Sequence, residues 1–216
     1  MSTVKLSDNV QEKTRRMERR SEDKVSSTRK LVMTAMLAAV ATVLMFFSVP
    51  VPLMPSFIKL DFSELPALIA AFTLGPVSGI AVCLVKNLVN LFNTYTGGVG
   101  ELCNFLLGVG FVLPAGLVYS KMRNFKGAIL GSVIGCFAMA VFSVPLNYFL
   151  VYPVYTNFMP MEAIMAAYQA INPKVETLLQ ALLIFNMPFT FIKGLCSVVI
   201  TFLIYKPLSP IIKGFR

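Results

Sequence analysis

The chain has 216 residues, 56% of them hydrophobic and only 13% charged, with a mean hydropathy of +0.75. A soluble domain runs at about 45–50% apolar and about 25% charged, so a water-exposed fold is excluded, whereas a bilayer can solvate an apolar outer face. The net charge of +9 raises nucleic acid as a partner, but the placement of the charges argues against it. Nine of the 19 basic residues precede Leu31, interleaved with Asp8, Glu12, Glu18, Glu22 and Asp23. Such a tail reads as a solvated cytoplasmic segment beside a membrane helix. The four cysteines, Cys83, Cys103, Cys136 and Cys196, form no CxxC pair and lie in or beside apolar runs, which predicts free thiols. Histidine is absent, and with it the commonest metal ligand and proton shuttle. The N-terminus makes a poor signal peptide, because its charged stretch is long and no small-x-small site follows it.

Six spans are expected. The first runs over 31–49 and ends at Pro50 and Pro52. A loop carrying Lys59 and Asp61 follows. The second, about 64–74, is short and stops at Gly75-Pro76, where proline forbids simple continuation. The third covers about 77–92, and a glycine-rich loop leads to the fourth at about 104–119. A basic turn of Lys121, Arg123 and Lys126 precedes the fifth, about 127–151. A long loop with a short amphipathic helix near 161–170 leads to the sixth, about 176–205, interrupted by Pro188.

With the N-terminus inside, the tail, the turn at 121–126 and Lys206, Lys213 and Arg216 place fifteen basic residues on the cytoplasmic side. Only Lys59 and Lys174 lie outside, in keeping with the positive-inside rule. The fold class is therefore an all-α integral membrane protein of six transmembrane helices with both termini cytoplasmic. Residues 1–30 form a charged cytoplasmic tail, 31–206 the transmembrane domain and 207–216 a short basic cytoplasmic tail. Asp61, Glu64, Glu101, Glu162 and Glu176 all fall on the outer side, so polar chemistry collects there.

A charge inside a membrane is costly unless paired or hydrated, and it invites a functional reading. On the last span Asn186, Thr190, Lys193 and Ser197 follow at i, i+4, i+7 and i+11, one face of a helix. That stripe is either a packing seam or a ligand wall. Lys86, Asn90 and Asn93 share a face of the third span beside Asn87, and Lys86 either contacts a ligand or bridges helices. Asp61 or Ser63 can cap the second span, and Glu64 suits its positive end. Glu101 and Asn104 repeat the arrangement of an acid at an outer helix end with an amide one turn in. Asn147 and Tyr148 sit within the fifth span after Pro145. Gly127, Gly131 and Gly135 on the fifth span, and Ala35 and Ala39 on the first, are small-xxx-small patterns that let helices approach closely. No phosphate-binding loop, HExxH or GxSxG is present, so the chain is not expected to be an enzyme.

The run Lys59-Leu60-Asp61-Phe62-Ser63-Glu64-Leu65-Pro66 resembles the substrate-binding (S) components of energy-coupling-factor (ECF) vitamin transporters, above all the riboflavin-specific members. Further similarities are Ala35-xxx-Ala39, Gly75-Pro76, Lys86-Asn87, Glu101-Leu102-x-Asn104-Phe105, Pro145-Leu146-Asn147-Tyr148-Phe149 and Pro188-Phe189-x-x-Ile192-Lys193-Gly194. They extend from about Arg29 to Lys206. The resemblance implies a six-helix, multi-pass protein of the bacterial plasma membrane with a vitamin pocket near its outer surface. It implies riboflavin or a related flavin as transported ligand, with no cofactor, no metal and no nucleic-acid partner. The implied protein partners are a membrane coupling protein, docked at Ala35 and Ala39, and two cytoplasmic ATPases. Asn147 and Lys193 would contact the flavin and its ribityl chain, with Thr190 where relatives often carry asparagine. The expected lining also includes Asn186, Lys59, Asp61, Glu64, Lys86, Asn87, Glu101, Asn104 and Tyr148, and the loop from Pro50 to Ser63 would act as a lid. A different vitamin or small heterocycle, or a non-transport subunit with a structural polar seam, are the alternatives.

Overall fold

The computed structural model describes residues 26–52, 54–55, 58–94 and 97–213, with side chains to residue 204. Most of the expected N-terminal tail lies outside the described residues. Among those described, five helices are long and apolar enough to cross a membrane. They are α1 (Ser26–Phe46), α3 (Pro76–Asn93, its last three residues a tighter turn), α4 (Val99–Met122), α5 (Phe125–Tyr155) and α7 (Leu178–Ile204, continuing to Lys213). Between them lie α2 (Glu64–Thr73) and α6 (Met161–Gln169).

The second expected span is thus a ten-residue helix, about 15 Å long at 1.5 Å per residue, half the thickness of a hydrocarbon core. It can be short because protein surrounds it. Every residue from Glu64 to Phe72 is buried, and the helix packs on α3, α4 and α7. A helix that is apolar on all sides belongs in such a centre. Lipid-facing surface falls to the outer helices, where Phe92, Phe137, Phe149 and Leu203 are exposed.

Local sequence sets the helix ends. Pro50 and Pro52 favour extended backbone before them. Accordingly α1 stops at Phe46, and Val49–Pro50 (β1) pairs antiparallel with Lys59–Leu60 (β2). Gly75 (φ 102°) turns the chain between α2 and α3, with Pro76 opening α3. Gly97 and Gly98, at φ 61° and 88°, let α4 begin at Val99, five residues earlier than expected. Asn124 Oδ1 caps α5 by accepting from Gly127 N (2.7 Å), and a Thr177–Gln180 capping box starts α7.

The capping expected at α2 differs. Ser63 stands at the N-cap without a side-chain capping bond. Its backbone N–H and hydroxyl donate back to Asp61 Oδ1 instead. Ser63 Oγ in turn accepts from Lys86 Nζ of α3 (2.6 Å), which also pairs with Glu64 Oε1 (2.6 Å). Lys86 and Glu64 are both fully buried, so the pair fixes the register of α2 against α3.

The glycine repeat of α5 lies against α4. A Cβ on Gly131 would stand 2.6 Å from the carbonyl oxygen of Ala115, and one on Gly135 2.5 Å from that of Phe111. These two glycines are where the backbones meet, which is packing within the bundle.

Two predictions test this architecture. Gly135→Val forces α4 and α5 apart and should cost about 1–3 kcal/mol, read as a lowered thermal midpoint in detergent. Gly110→Ala, whose nearest neighbour is Phe142 Cδ2 at 3.9 Å, should leave that midpoint unchanged. Lys86→Met strands Glu64 as an unpaired buried charge and should cost about 3–5 kcal/mol, whereas Lys86→Met with Glu64→Leu should recover most of it. A double variant no more stable than the single one would show that the pair is not the source of the cost.

Candidate functional site

One end of the bundle collects the C-terminal ends of α1, α3 and α5, the N-terminal ends of α4 and α7, and the loop 47–63. A cavity of about 590 Å³ opens there, within the range of small-molecule sites. Its walls include Met45, Phe46, Lys59, Asp61, Asn90, Glu101, Asn104, Tyr155, Phe158, Ile164 and Lys193. A recess of about 150 Å³ adjoins it, sharing Gly100, Asn104 and Tyr155, and adds Asn147, Tyr152, Asn186, Phe189 and Thr190.

The helices that supply the recess are locally widened. In α5 residues Asn147–Val151, and in α7 residues Leu182–Asn186, form single π-helical segments. Each ends two residues before a proline, Pro153 and Pro188. A proline ring clashes with the carbonyl four residues back, here Phe149 and Ile184, and both lie inside the widened turns. A widened turn at these positions relieves that clash, and π segments recur at functional sites. Asn147 begins one segment and Asn186 ends the other.

The charged wall is organised by Asp61. Its Oδ2 accepts from Lys193 Nζ at 2.8 Å across 132 residues of sequence, and both groups are largely buried. Burial works against the ionised form of Asp61, but Lys193, then Lys86, and the bonds from Lys193 and Ser63 hold its carboxyl well below the usual carboxylate range. Asp61 is thus ionised at neutral pH. Glu101, in the first turn of α4, accepts from Asn90 Nδ2 (3.1 Å) and Thr94 Oγ1 (2.8 Å). Lys59, exposed at the rim, has no ion-pair partner among the described residues.

The neutral wall has a defined polarity. Asn104 Nδ2 donates to Asn87 Oδ1 (3.1 Å), and Asn147 Nδ2 donates to the Ser143 carbonyl (2.7 Å). Each leaves its Oδ1 as an acceptor. Asn186 is the reverse: Oδ1 accepts from the Tyr168 hydroxyl (2.7 Å), leaving Nδ2 as a donor. The Thr190 hydroxyl can serve either way. Such a wall suits a planar ligand with alternating donors and acceptors.

Of the residues singled out in sequence, Lys59, Asp61, Glu101, Asn104 and Lys193 line the larger cavity, and Asn104, Asn147, Asn186 and Thr190 the recess. Glu64, Lys86 and Asn87 lie behind these walls, where Asn87 backs Asn104 and the Lys86–Glu64 pair reaches Asp61 through Ser63. Tyr148 is apart, lining an outer groove with Met161, Met165 and Glu176. Ala35 and Ala39 are elsewhere again, in a shallow apolar trough between α1 and α3 with Leu31, Ala81, Val85 and Val89. The sequence reading missed Tyr152, Tyr155 and Tyr168. The spacing of Ile164 and Tyr168, both fully buried on α6, was the available signal for Tyr168.

The same plan occurs in known proteins. A family model described as "ECF transporter, substrate-specific component" matches residues 29–205. The riboflavin transporter RibU of Staphylococcus aureus is 36% identical over 189 residues, covering 88% of this chain and 95% of its own. The riboflavin transporter FmnP of Bacillus subtilis is 35% identical over 191 residues, covering 87% and 96%. A solved structure titled as the S component of a bacterial ECF transporter matches with a TM-score of 0.70 at 34% identity, over 87% of this chain and 99% of its own. The chain belongs to the substrate-specific components of ECF transporters, the substrate-binding membrane subunits of those systems.

Proposed function

We propose that this protein is the riboflavin-binding subunit of an ECF-type, ATP-driven vitamin uptake transporter in the bacterial plasma membrane. The observation that carries the proposal is the amide-lined recess opening onto the Asp61–Lys193 pair, in a chain similar along 88% of its length to a protein named a riboflavin transporter. The flat ring system enters between the π segments. The Oδ1 of Asn104 or Asn147 accepts from its single ring N–H, and the amide nitrogens, Asn186 Nδ2 among them, donate to its carbonyls and ring nitrogens. The hydroxylated chain lies toward Lys193 and the larger cavity. Lys193 is held at the boundary by Asp61, so a ligand hydroxyl meets a fixed donor. The expected lid, Pro50 to Ser63, includes residues 53, 56 and 57, which lie outside the described residues; its described end, tied to α7 through that pair, covers the ligand.

The chain crosses the membrane six times with α2 as the short central crossing, and both termini are cytoplasmic. The division into a charged tail (1–30), a binding domain (31–206) and a basic tail (207–216) follows from the charge asymmetry. Ala35 and Ala39 are exposed on α1, so another helix can approach the trough they line. This is the docking face for the membrane coupling protein, which carries the two ATPases. No bond in the vitamin is broken. Binding, reorientation against the coupling protein and release complete the cycle.

Protein purified in detergent from cells grown with riboflavin should be yellow and should quench added riboflavin fluorescence stoichiometrically. Lys193→Ala and Asn147→Ala should each weaken binding at least about tenfold, the loss of one well-formed hydrogen bond or more. Asn147→Ala breaks no ion pair and so separates lost contact from lost folding. A colourless, well-folded protein that ignores riboflavin would overturn the substrate and leave the family membership intact. Ala35→Leu should behave oppositely: riboflavin quenching is retained, while co-purification of the coupling protein and its ATPases falls. Undiminished co-purification would remove the trough as the docking face.

A further inference from the structure

The recess has a support that lies outside its walls. Helix α6 buries two side chains, Ile164 and Tyr168, and the Tyr168 ring packs against Phe185 with centroids 5.4 Å apart. Gln169 Nε2 donates to the Val175 carbonyl (3.0 Å), tying the end of α6 to the chain that enters α7. The Tyr168 hydroxyl bonds to the Tyr152 hydroxyl and to Asn186 Oδ1. Tyr152 directly follows the π segment of α5, and Asn186 ends that of α7. One hydroxyl therefore joins the two widened turns.

The direction of the chain matters. A tyrosine hydroxyl carries one proton. Tyr168 gives it to Asn186 Oδ1, so the bond between the tyrosines runs from Tyr152 to Tyr168. Aligned hydrogen bonds polarise one another and strengthen the arrangement. Burial, and then the neighbouring Tyr152, push the Tyr168 hydroxyl well above the ordinary tyrosine range, so it remains a donor. An asparagine amide can otherwise turn over and exchange its donor and acceptor ends at little cost in shape.

We infer that Tyr168 is a positioning residue for the recess: its hydroxyl, backed by that of Tyr152, holds Asn186 with the amide Nδ2 turned inward as a donor. Tyr168 itself does not line the recess. It acts through Asn186, and it makes α6 part of the machinery that selects a ligand acceptor at this position. The consequence for affinity rests on the riboflavin reading, while the consequence for Asn186 does not.

The test uses full-length protein in detergent, labelled with ¹⁵N at asparagine. The Asn186 side-chain amide signal is identified as the pair that disappears in Asn186→Ala. Without ligand, Tyr168→Phe should shift or broaden that pair, and an unchanged pair would overturn the inference. Tyr168→Phe keeps the ring contact with Phe185. Should it nevertheless fail to fold, Tyr152→Phe removes the donor behind Tyr168 and should move the same signal less, again with no change as the overturning result.

Riboflavin titration supplies the second readout. Tyr168→Phe should weaken binding about tenfold in otherwise wild-type protein, as expected for one displaced hydrogen bond. It should change nothing further in an Asn186→Ala background. An equal loss in both backgrounds would show that the hydroxyl acts by another route and would sink the inference, since a purely structural tyrosine predicts that additivity. If wild-type protein does not bind riboflavin yet Tyr168→Phe still moves the Asn186 signal, the substrate reading fails and the positioning role stands.

Discussion

The pair between Asp61 and Lys193 is the interaction on which the arrangement of this end of the molecule depends. Each charge is nearly buried, and neither could remain ionised there alone without a large penalty. Together they join the loop before α2 to the middle of α7. The pair is continuous with a second one, because Asp61 accepts from Ser63, whose hydroxyl accepts from Lys86, which pairs with Glu64. Two cations and two anions thus form one neutral cluster, and the loop, α2, α3 and α7 all supply members. The inner pair is sealed, while the outer pair borders the cavity. That difference separates a structural lysine from one that can meet a ligand, although both residues look alike in sequence.

The cavity itself follows from the departures from regular helix. The central helix is only ten residues long, and the cavity is lined beside it by Ser48, Lys59 and Asp61 of the preceding loop. The two π segments rotate the side chains within them relative to a regular helix. Asn147 and Asn186 are brought into one recess from helices that pack on one another. Below this level α4 and α5 meet through glycine against backbone, leaving no room for adjustment. Rigidity in the lower bundle and irregularity in the upper end are complementary: the first holds the second in place.

Much of this was legible in the sequence because the underlying signals are local. Apolar runs, proline and glycine stops and the bias of basic residues set the helix order. The i, i+4, i+7 stripe on the last span reads directly as Asn186, Thr190 and Lys193 on one face. What sequence could not settle was pairing at a distance. Lys86 could be bridge or ligand contact until Glu64 was seen beside it. Asp61 looked like a helix cap, and its pairing with Lys193, 132 residues away, had no local signal. Tyr148 sits next to Asn147 in sequence but faces the outer groove, since consecutive helical residues point in different directions. The extent of α2 was readable, but its burial on every side required the neighbours.

Under the proposed function, selectivity in the recess is carried by neutral groups. Charges at the ligand would need compensation and would bind ions or water when the site is empty. Amides avoid that cost, but an amide is ambiguous, being donor at one end and acceptor at the other. The ambiguity is removed by a partner behind each one. Asn87 takes the donor end of Asn104, the Ser143 carbonyl that of Asn147, and the Tyr168 hydroxyl claims the acceptor end of Asn186. In the proposed site, the pattern presented to a ligand is therefore written by residues behind the wall. Exchanging a backing residue would alter selectivity while leaving the wall composition unchanged, so proteins with the same lining could prefer different heterocycles.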